Sequence, residues 1–253
     1  MTAPDVTVEA VGHVAVVEIH RPPNNFFDTA LIKGIADAYE RLDDDVECRA
    51  IVLCSEGKHF CAGADFSRPA EDRVSPEELY AQAIRLFRAR TPVVAAVHGS
   101  AIGGGLGLAL STDFRVAAPS TRFAANFSRL GLHPGFGITE TLPRVVGQQK
   151  ALEWVLTGER LSGEIGYKAG LFDELVADGE VRAAAIRFAE RIAAAAPLAL
   201  TSIRATMRAG LADAVAAATA HELEEQTRLH ATADFAEGVA AAAERRPPQF
   251  TGH

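Results

Sequence analysis

Residues 92–110 constrain the chain more than any other stretch. They form its longest strongly apolar run, yet they carry His98, Ser100 and five glycines. A membrane span needs about 20 apolar residues with few interruptions, so the run reads as a buried strand over 93–97, a turn, and a helix opening at 103–110. This strand–glycine–helix order predicts an α/β chain, and the flanking sequence agrees. Residues 14–19 and 50–54 are short β-rich runs, and 114–117 is another. Between them lie helical spacings. Asp28 is placed to cap a helix through about 42, with Leu31, Ile32, Ile35, Ala38, Tyr39 and Leu42 on one face. Ser75 and Pro76 followed by Glu77 and Glu78 open another helix.

From about 147 the pattern turns helical. Residues 148–156, 162–169, 180–195, 198–211, 213–230 and 234–244 all show helical spacing, and their many alanines favour helix locally. The break at Ala196-Pro197 divides the chain into a core region, 1–196, and a helical region, 197–253. The second region is short on core of its own and is expected to pack on another surface, such as another subunit.

Composition narrows the function. A chain of 253 residues that is 48% hydrophobic and 23% charged can bury a core without disulfides. Its net charge of -8 argues against nucleic-acid binding, which needs clustered Lys and Arg. A polyanionic small ligand remains compatible, because helix N-termini and a few local cations suffice. Cys48, Cys54 and Cys61 match no zinc spacing and are odd in number, so reduced thiols are expected. With no signal-peptide pattern after Met1, the expected location is cytoplasmic, and no membrane span or metal site is anticipated.

Two glycine-containing segments carry the chemistry: Lys58-His-Phe-Cys-Ala-Gly-Ala-Asp65 and Val97-His-Gly-Ser-Ala-Ile-Gly-Gly-Gly-Leu-Gly107. Lacking Cβ atoms, Gly103–Gly105 let a ligand approach the backbone where a helix presents unpaired N–H groups. The dinucleotide fingerprint fails in both registers, at Leu108 and at Ala101. No Lys follows for a phosphate loop, and Ser100 lacks the flanking glycines of a hydrolase elbow. On these residues alone, simple close packing of backbone is the alternative explanation.

The pair Phe60-Cys-Ala-Gly-Ala-Asp65 and Gly99-x-Ala-x-Gly-Gly-Gly105 resembles the paired signature of the crotonase (enoyl-CoA hydratase/isomerase) superfamily. Further stretches agree in order and spacing: Arg21-Pro-Pro-Asn-Asn25, Asp113-Phe-Arg-Val-Ala117, Gly131-Leu-His-Pro-Gly135, Leu142-Pro-Arg-Val-Val-Gly147, Leu156-Thr-Gly158, Ala169-Gly-Leu-Phe-Asp173 and Pro248-Gln-Phe250. The resemblance covers nearly the whole chain. It implies a crotonase-like spiral of ββα units with a C-terminal helical trimerisation region, assembled as a homotrimer or as a hexamer of two trimers. It implies an acyl-CoA thioester as ligand and no cofactor beyond the coenzyme A that belongs to it. By position, the backbone N–H groups of Ala64 and Gly104 form an oxyanion hole. Asn25, Phe26, Phe27, Ala62, Asp65 and Phe66 line the ligand, and Phe250 reaches the nucleotide end in a neighbouring subunit. Phe26 and Phe27 also read as core, Asp65 as a turn residue and Asp113 as structural. Arg21, Lys58 and Arg68 are the cations near these motifs.

Hydratases of this family use two glutamates. The matching positions here are Gly107 and Phe127, neither of which transfers a proton. His133 is the nearest titratable candidate, while Phe127 and Phe136 suggest an apolar acyl pocket. A Cys61 thiol beside His59 has no evident orienting partner. Three functions follow: an enzyme of the lyase or isomerase class acting through a thioester enolate, a non-catalytic acyl-CoA-binding protein, or an assembly protein using its helical tail.

Overall fold

A computed structural model of the chain describes residues 4–66 and 75–253. Its main sheet has six strands. These are β1 (Val6–Val11), β2 (Val14–Ile19), β3 (Ala50–Ser55), β4 (Val93–Val97), β6 (Phe114–Ala117) and β9 (Glu174–Leu175), hydrogen-bonded in that order. Only the β1–β2 pair is antiparallel. A smaller sheet joins β5 (Ser100–Ile102), β7 (Arg122–Ala124) and β8 (Leu161–Ser162).

The largely apolar runs of β2, β3 and β4 are explained by burial on both faces, as in parallel sheets generally. Val17, Ile19, Ile51, Leu53, Ala95 and Val97 face the main core. Val14, Val16, Ala50, Val52, Val94 and Ala96 face a second cluster, built with helix α7 (Val181–Ala193) through Ala184, Ala185 and Ala189. On the main-core side lie α1 (Thr29–Asp43) and α2 (Pro76–Phe87). The α1 cap is as its sequence predicts: Asp28 accepts from the Leu31 N–H at 2.9 Å. Ser75 occupies the cap position of α2 without making the side-chain bond.

The helical half starts earlier than the sequence pattern indicates. After α3 (Gly104–Leu110) and a 3-10 turn at Ser128–Leu130 comes α4 (Ile138–Val146), which carries Pro143 inside it. A proline within a helix removes one ladder donor and disguises the segment. Then follow α5 (Gln148–Thr157), α6 (Gly163–Lys168), α8 (Pro197–Met207), α9 (Leu211–His230) and α10 (Ala233–Glu244). Helix α8 stops short of 211 because the chain turns at Gly210, whose φ is +77°.

The helices after 197 do not stand apart from the rest of the chain. Arg204 of α8 and Arg208 at its C-terminal cap clamp Asp113 at 2.8 and 2.6 Å, while Asp113 also accepts from the Val93 N–H at the start of β4. This agrees with the structural reading of Asp113. Helix α9 packs on α2 and α4, and α10 packs on the 3-10 turn.

Beyond α10 the chain folds back and is held by carboxylates. Glu237 pairs with both Nη atoms of Arg246 at 2.5 and 2.8 Å and accepts from the Gln249 N–H at 2.7 Å. The Arg246 guanidinium first, then this amide, draw Glu237 down from 4.5 to about 2. A depressed folded-state pKa gives a contribution that is complete above the unfolded value and lost as pH falls through the folded one. The Gln249 amide should therefore stay protected from hydrogen exchange at pH 5 and above. Its protection should fade as pH drops from about 4.5 to about 2, and a pH-independent exchange factor across that window would contradict the anchor.

Candidate active site

The two glycine-containing segments, far apart in sequence, are stitched together by backbone hydrogen bonds. Phe60 N–H donates to His98 O, Cys61 N–H to Ser100 O, and Ile102 N–H to Cys61 O, at 3.0 to 3.1 Å. A third segment joins them. Ala62 N–H donates to Asn24 O at 2.9 Å and Phe27 N–H to Gly63 O at 3.0 Å. A Cβ built on Gly63 would lie 3.6 Å from the Gly104 nitrogen, so the residues flanking Ala64 and Gly104 are side by side. Neither the Ala64 nor the Gly104 N–H donates to a backbone carbonyl within the described chain. Gly104 is in the first turn of α3, where amides have no intrahelical acceptor.

These segments wall a cavity of about 670 Å³, a size typical of small-molecule sites. Of the residues the sequence singled out, Phe26, Phe27, Ala62, Ala64, Asp65, Phe66, Gly104, Phe127 and Phe136 line it, as does Arg21. Asn25 lies behind the wall. It is fully buried with φ +50°, accepts from Arg21 N–H, and donates to Glu56 O and His59 O at 2.7 and 2.6 Å. Its amide is spent on holding the loop that presents Phe26 and Phe27. Phe250 is 42% exposed on the folded-back tail and does not line the cavity. Arg21 is balanced by Asp5 and Asp28 at 2.6 and 2.8 Å, and Lys58 is exposed outside the wall. Arg68 falls outside the described residues.

Among the described residues the wall holds no glutamate and two aspartates, Asp28 and Asp65, and Asp28 is engaged as the α1 cap. Phe127 contributes a buried ring. Gly107 carries nothing because there is no room for it: a Cβ there would sit 2.7 Å from Phe136 Cβ and 2.9 Å from its ring. The Phe136 side chain fills the space a residue at 107 would enter, and its ring packs on Phe27 with centroids 5.5 Å apart. Residues 107 and 136 therefore form one packing unit. Gly107→Ala should lower stability by about 1–3 kcal/mol through overpacking. In a double-mutant cycle with Phe136→Gly, which removes the Cβ as well as the ring and suits the φ of +62° at that position, most of that loss should vanish; additive losses in thermal melts would show the two sites to be independent.

His133 does not line the cavity. Its Nδ1 lies 2.9 Å from Pro134 O, and its ring meets His221 with centroids 5.9 Å apart. Cys61 is fully buried, which pushes its thiol up to about 12, and burial lowers His59. A thiol so far above neutral pH is a poor nucleophile. Among the described residues no group of three His, Cys, Asp or Glu side chains could hold a metal, and no helix is long and apolar enough to cross a membrane.

The structure adds wall residues that sequence reasoning missed. Leu79 and Tyr80 come from α2, Leu130 from the 3-10 turn, Gln226 and His230 from α9, and Phe235 from α10. Helical spacing marks such residues as an inward face without saying which cavity that face meets.

Short parallel strands spiralling under a helical cover, with strand-to-helix backbone amides opening onto a cleft, define a crotonase-like α/β protein. The enoyl-CoA hydratase/isomerase family model matches residues 9–253. A probable enoyl-CoA hydratase of Mycobacterium tuberculosis, echA8, is 32% identical, with 99% of both chains covered. The 1,2-epoxyphenylacetyl-CoA isomerase of Escherichia coli is 32% identical over 94% of this chain and 95% of its own. The crystal structure of an enoyl-CoA hydratase/isomerase from Pseudoalteromonas atlantica superposes with a TM-score of 0.88 at 32% identity, covering 98% of this chain and 100% of that one. The chain belongs to the enoyl-CoA hydratase/isomerase family.

Proposed function

We propose that the chain binds an acyl-coenzyme A thioester with its carbonyl oxygen between the backbone N–H groups of Ala64 and Gly104, and stabilises the enolate that forms there. The observation that carries this reading is the pair of adjacent amides, without backbone acceptors, at the wall of a largely apolar cavity. Preorganised donors act where charge develops, and removing one costs about 10²- to 10³-fold in rate in a comparable site. The related proteins named for enoyl-CoA hydration and acyl-CoA isomerisation support a lyase- or isomerase-class reaction. The test uses an acyl-CoA labelled with ¹³C at the thioester carbonyl. Two hydrogen bonds should move its resonance downfield and its infrared stretch to lower frequency on binding. A bound thioester with an unshifted carbonyl would refute the proposal.

The wall favours an unconventional proton inventory. With Gly107 and Phe127 at the two positions that the family resemblance assigns to glutamates, water activation by a carboxylate pair is not the route we propose. The same observation supports a second reading, a non-catalytic acyl-CoA-binding protein. Crotonyl-CoA hydration and 3-enoyl-CoA isomerisation separate the two: turnover above background supports the enzyme, and binding with a shifted carbonyl but no turnover supports the binder.

We also propose that residues 197–253 serve assembly into a trimer or a pair of trimers. Leu198, Ile203 and Met207 stand 85%, 60% and 80% exposed on α8, an apolar surface of the kind that marks contacts. Light scattering should give a mass of three or six chains; a monomeric mass across micromolar concentrations would refute this.

A further inference from the structure

The cavity wall carries a hydrogen-bonded pair of polar side chains from two helices. Tyr80 on α2 donates its hydroxyl proton to Gln226 Oε1 on α9 at 2.7 Å. Gln226 Nε2 donates to His133 O at 2.9 Å. The orientation of the amide follows from its partners: a backbone carbonyl only accepts, so the nitrogen must face His133 and the oxygen must face Tyr80.

Gly135 makes room for this pair. A Cβ there would lie 2.0 Å from the Tyr80 oxygen and 2.6 Å from Gln226 Nε2. Both side chains are buried, at 7% and 5% exposure, and both line the cavity.

Counting valences shows what the pair can still offer. A tyrosine hydroxyl has one proton and two lone pairs, and a glutamine nitrogen has two protons. After the bonds above, lone-pair capacity on Tyr80 Oη and one Gln226 N–H are left without a partner among the described residues. A donor and an acceptor side by side match a hydroxyl group, which is itself both. Apolar side chains of Leu79, Leu132, Phe27 and Phe136 line the same cavity. An alcohol buried there without partners would pay the desolvation penalty of an unpaired polar group.

We infer that the Tyr80–Gln226 pair is a specificity device that selects acyl groups bearing a hydroxyl, which accepts from Gln226 Nε2 and donates to Tyr80 Oη. This rests on the acyl-CoA reading above. The pair is neutral and fully oriented, so its role is to position and discriminate, without proton abstraction.

Calorimetric titration of the full chain with hexanoyl-CoA, 3-hydroxyhexanoyl-CoA and 6-hydroxyhexanoyl-CoA tests it. At least one hydroxylated thioester should bind about tenfold more tightly than hexanoyl-CoA, the effect of one to two net hydrogen bonds. In Tyr80→Phe and Gln226→Met that ratio should collapse to within about twofold. The ratio is read within each variant, so a general loss of affinity does not mimic the effect. If both variants fail to fold, the wild-type ratio alone decides. Equal binding of all three thioesters to the wild type overturns the inference and leaves the acyl-CoA reading standing. A preference that survives in both variants also overturns it. Failure of the wild type to bind any of the three thioesters sinks both.

Discussion

Gly104→Ala is expected to reduce turnover by about 10²- to 10³-fold and acyl-CoA affinity by about tenfold. The added methyl would lie 2.4 Å from Phe27 Cζ and 2.7 Å from Cε1. Phe27 cannot yield easily: its backbone is pinned to Gly63 O, and its ring is packed against Phe136. The strain therefore falls on the first turn of α3 and moves the Gly104 N–H away from the oxygen it is proposed to serve. The carbonyl ¹³C shift of a bound thioester reads this directly, even if the reaction is unknown. Shortening the obstacle in Gly104→Ala/Phe27→Leu should restore part of the shift. An unchanged shift and affinity in the single variant would remove Gly104 from the site.

The second large effect concerns Glu222, a fully buried carboxylate on α9. It accepts from Gly137 N–H at 2.8 Å, from Thr139 N–H at 3.1 Å and from Thr139 Oγ1 at 2.6 Å. These donors stand at the start of α4, so one side chain both caps that helix and ties α9 to the core. Burial pushes the carboxyl above its usual range, opposed by the Thr139 and Gly137 donors. Glu222→Ala takes the acceptor from one buried donor, Gly137 N–H, and from two part-buried donors of Thr139, at about 1 kcal/mol each. It should cost about 3 kcal/mol, or roughly 6–12 °C in Tm for a chain of this size. Gln226 lies one turn further along α9, so the same variant should loosen the Tyr80–Gln226 bond and weaken ligand binding. Scanning calorimetry measures the first effect, and a Tm within about 2 °C of wild type would contradict the anchoring role.

Much of the framework could be read from local patterns. The strands β2, β3, β4 and β6 follow from short β-rich apolar runs, and α1 follows from Asp28 and a clean inward stripe. In these places propensity, capping and burial agree. The elements that escaped are those where local signals conflict or are too short. Helix α4 contains Pro143, and β5, β7, β8 and β9 have two or three residues each, with pairing partners distant in sequence. Strand β1 was hidden by an exposed face.

The site divides the same way. The glycines of 99–107 and the 60–65 segment point to close backbone approach by their lack of Cβ atoms, and the sequence alone establishes that Gly107 and Phe127 carry no carboxylate. It determined what those positions cannot do. Only the tertiary structure decided what takes their place. Phe136 fills the volume beside Gly107, Asn25 turns inward to brace the loop, and Tyr80 meets Gln226 across 146 residues of chain. Such pairings depend on how α2 and α9 pack over the sheet. The helical spacing of either segment fixes which face is buried, while the partner of that face is set by contacts between elements that no local pattern encodes.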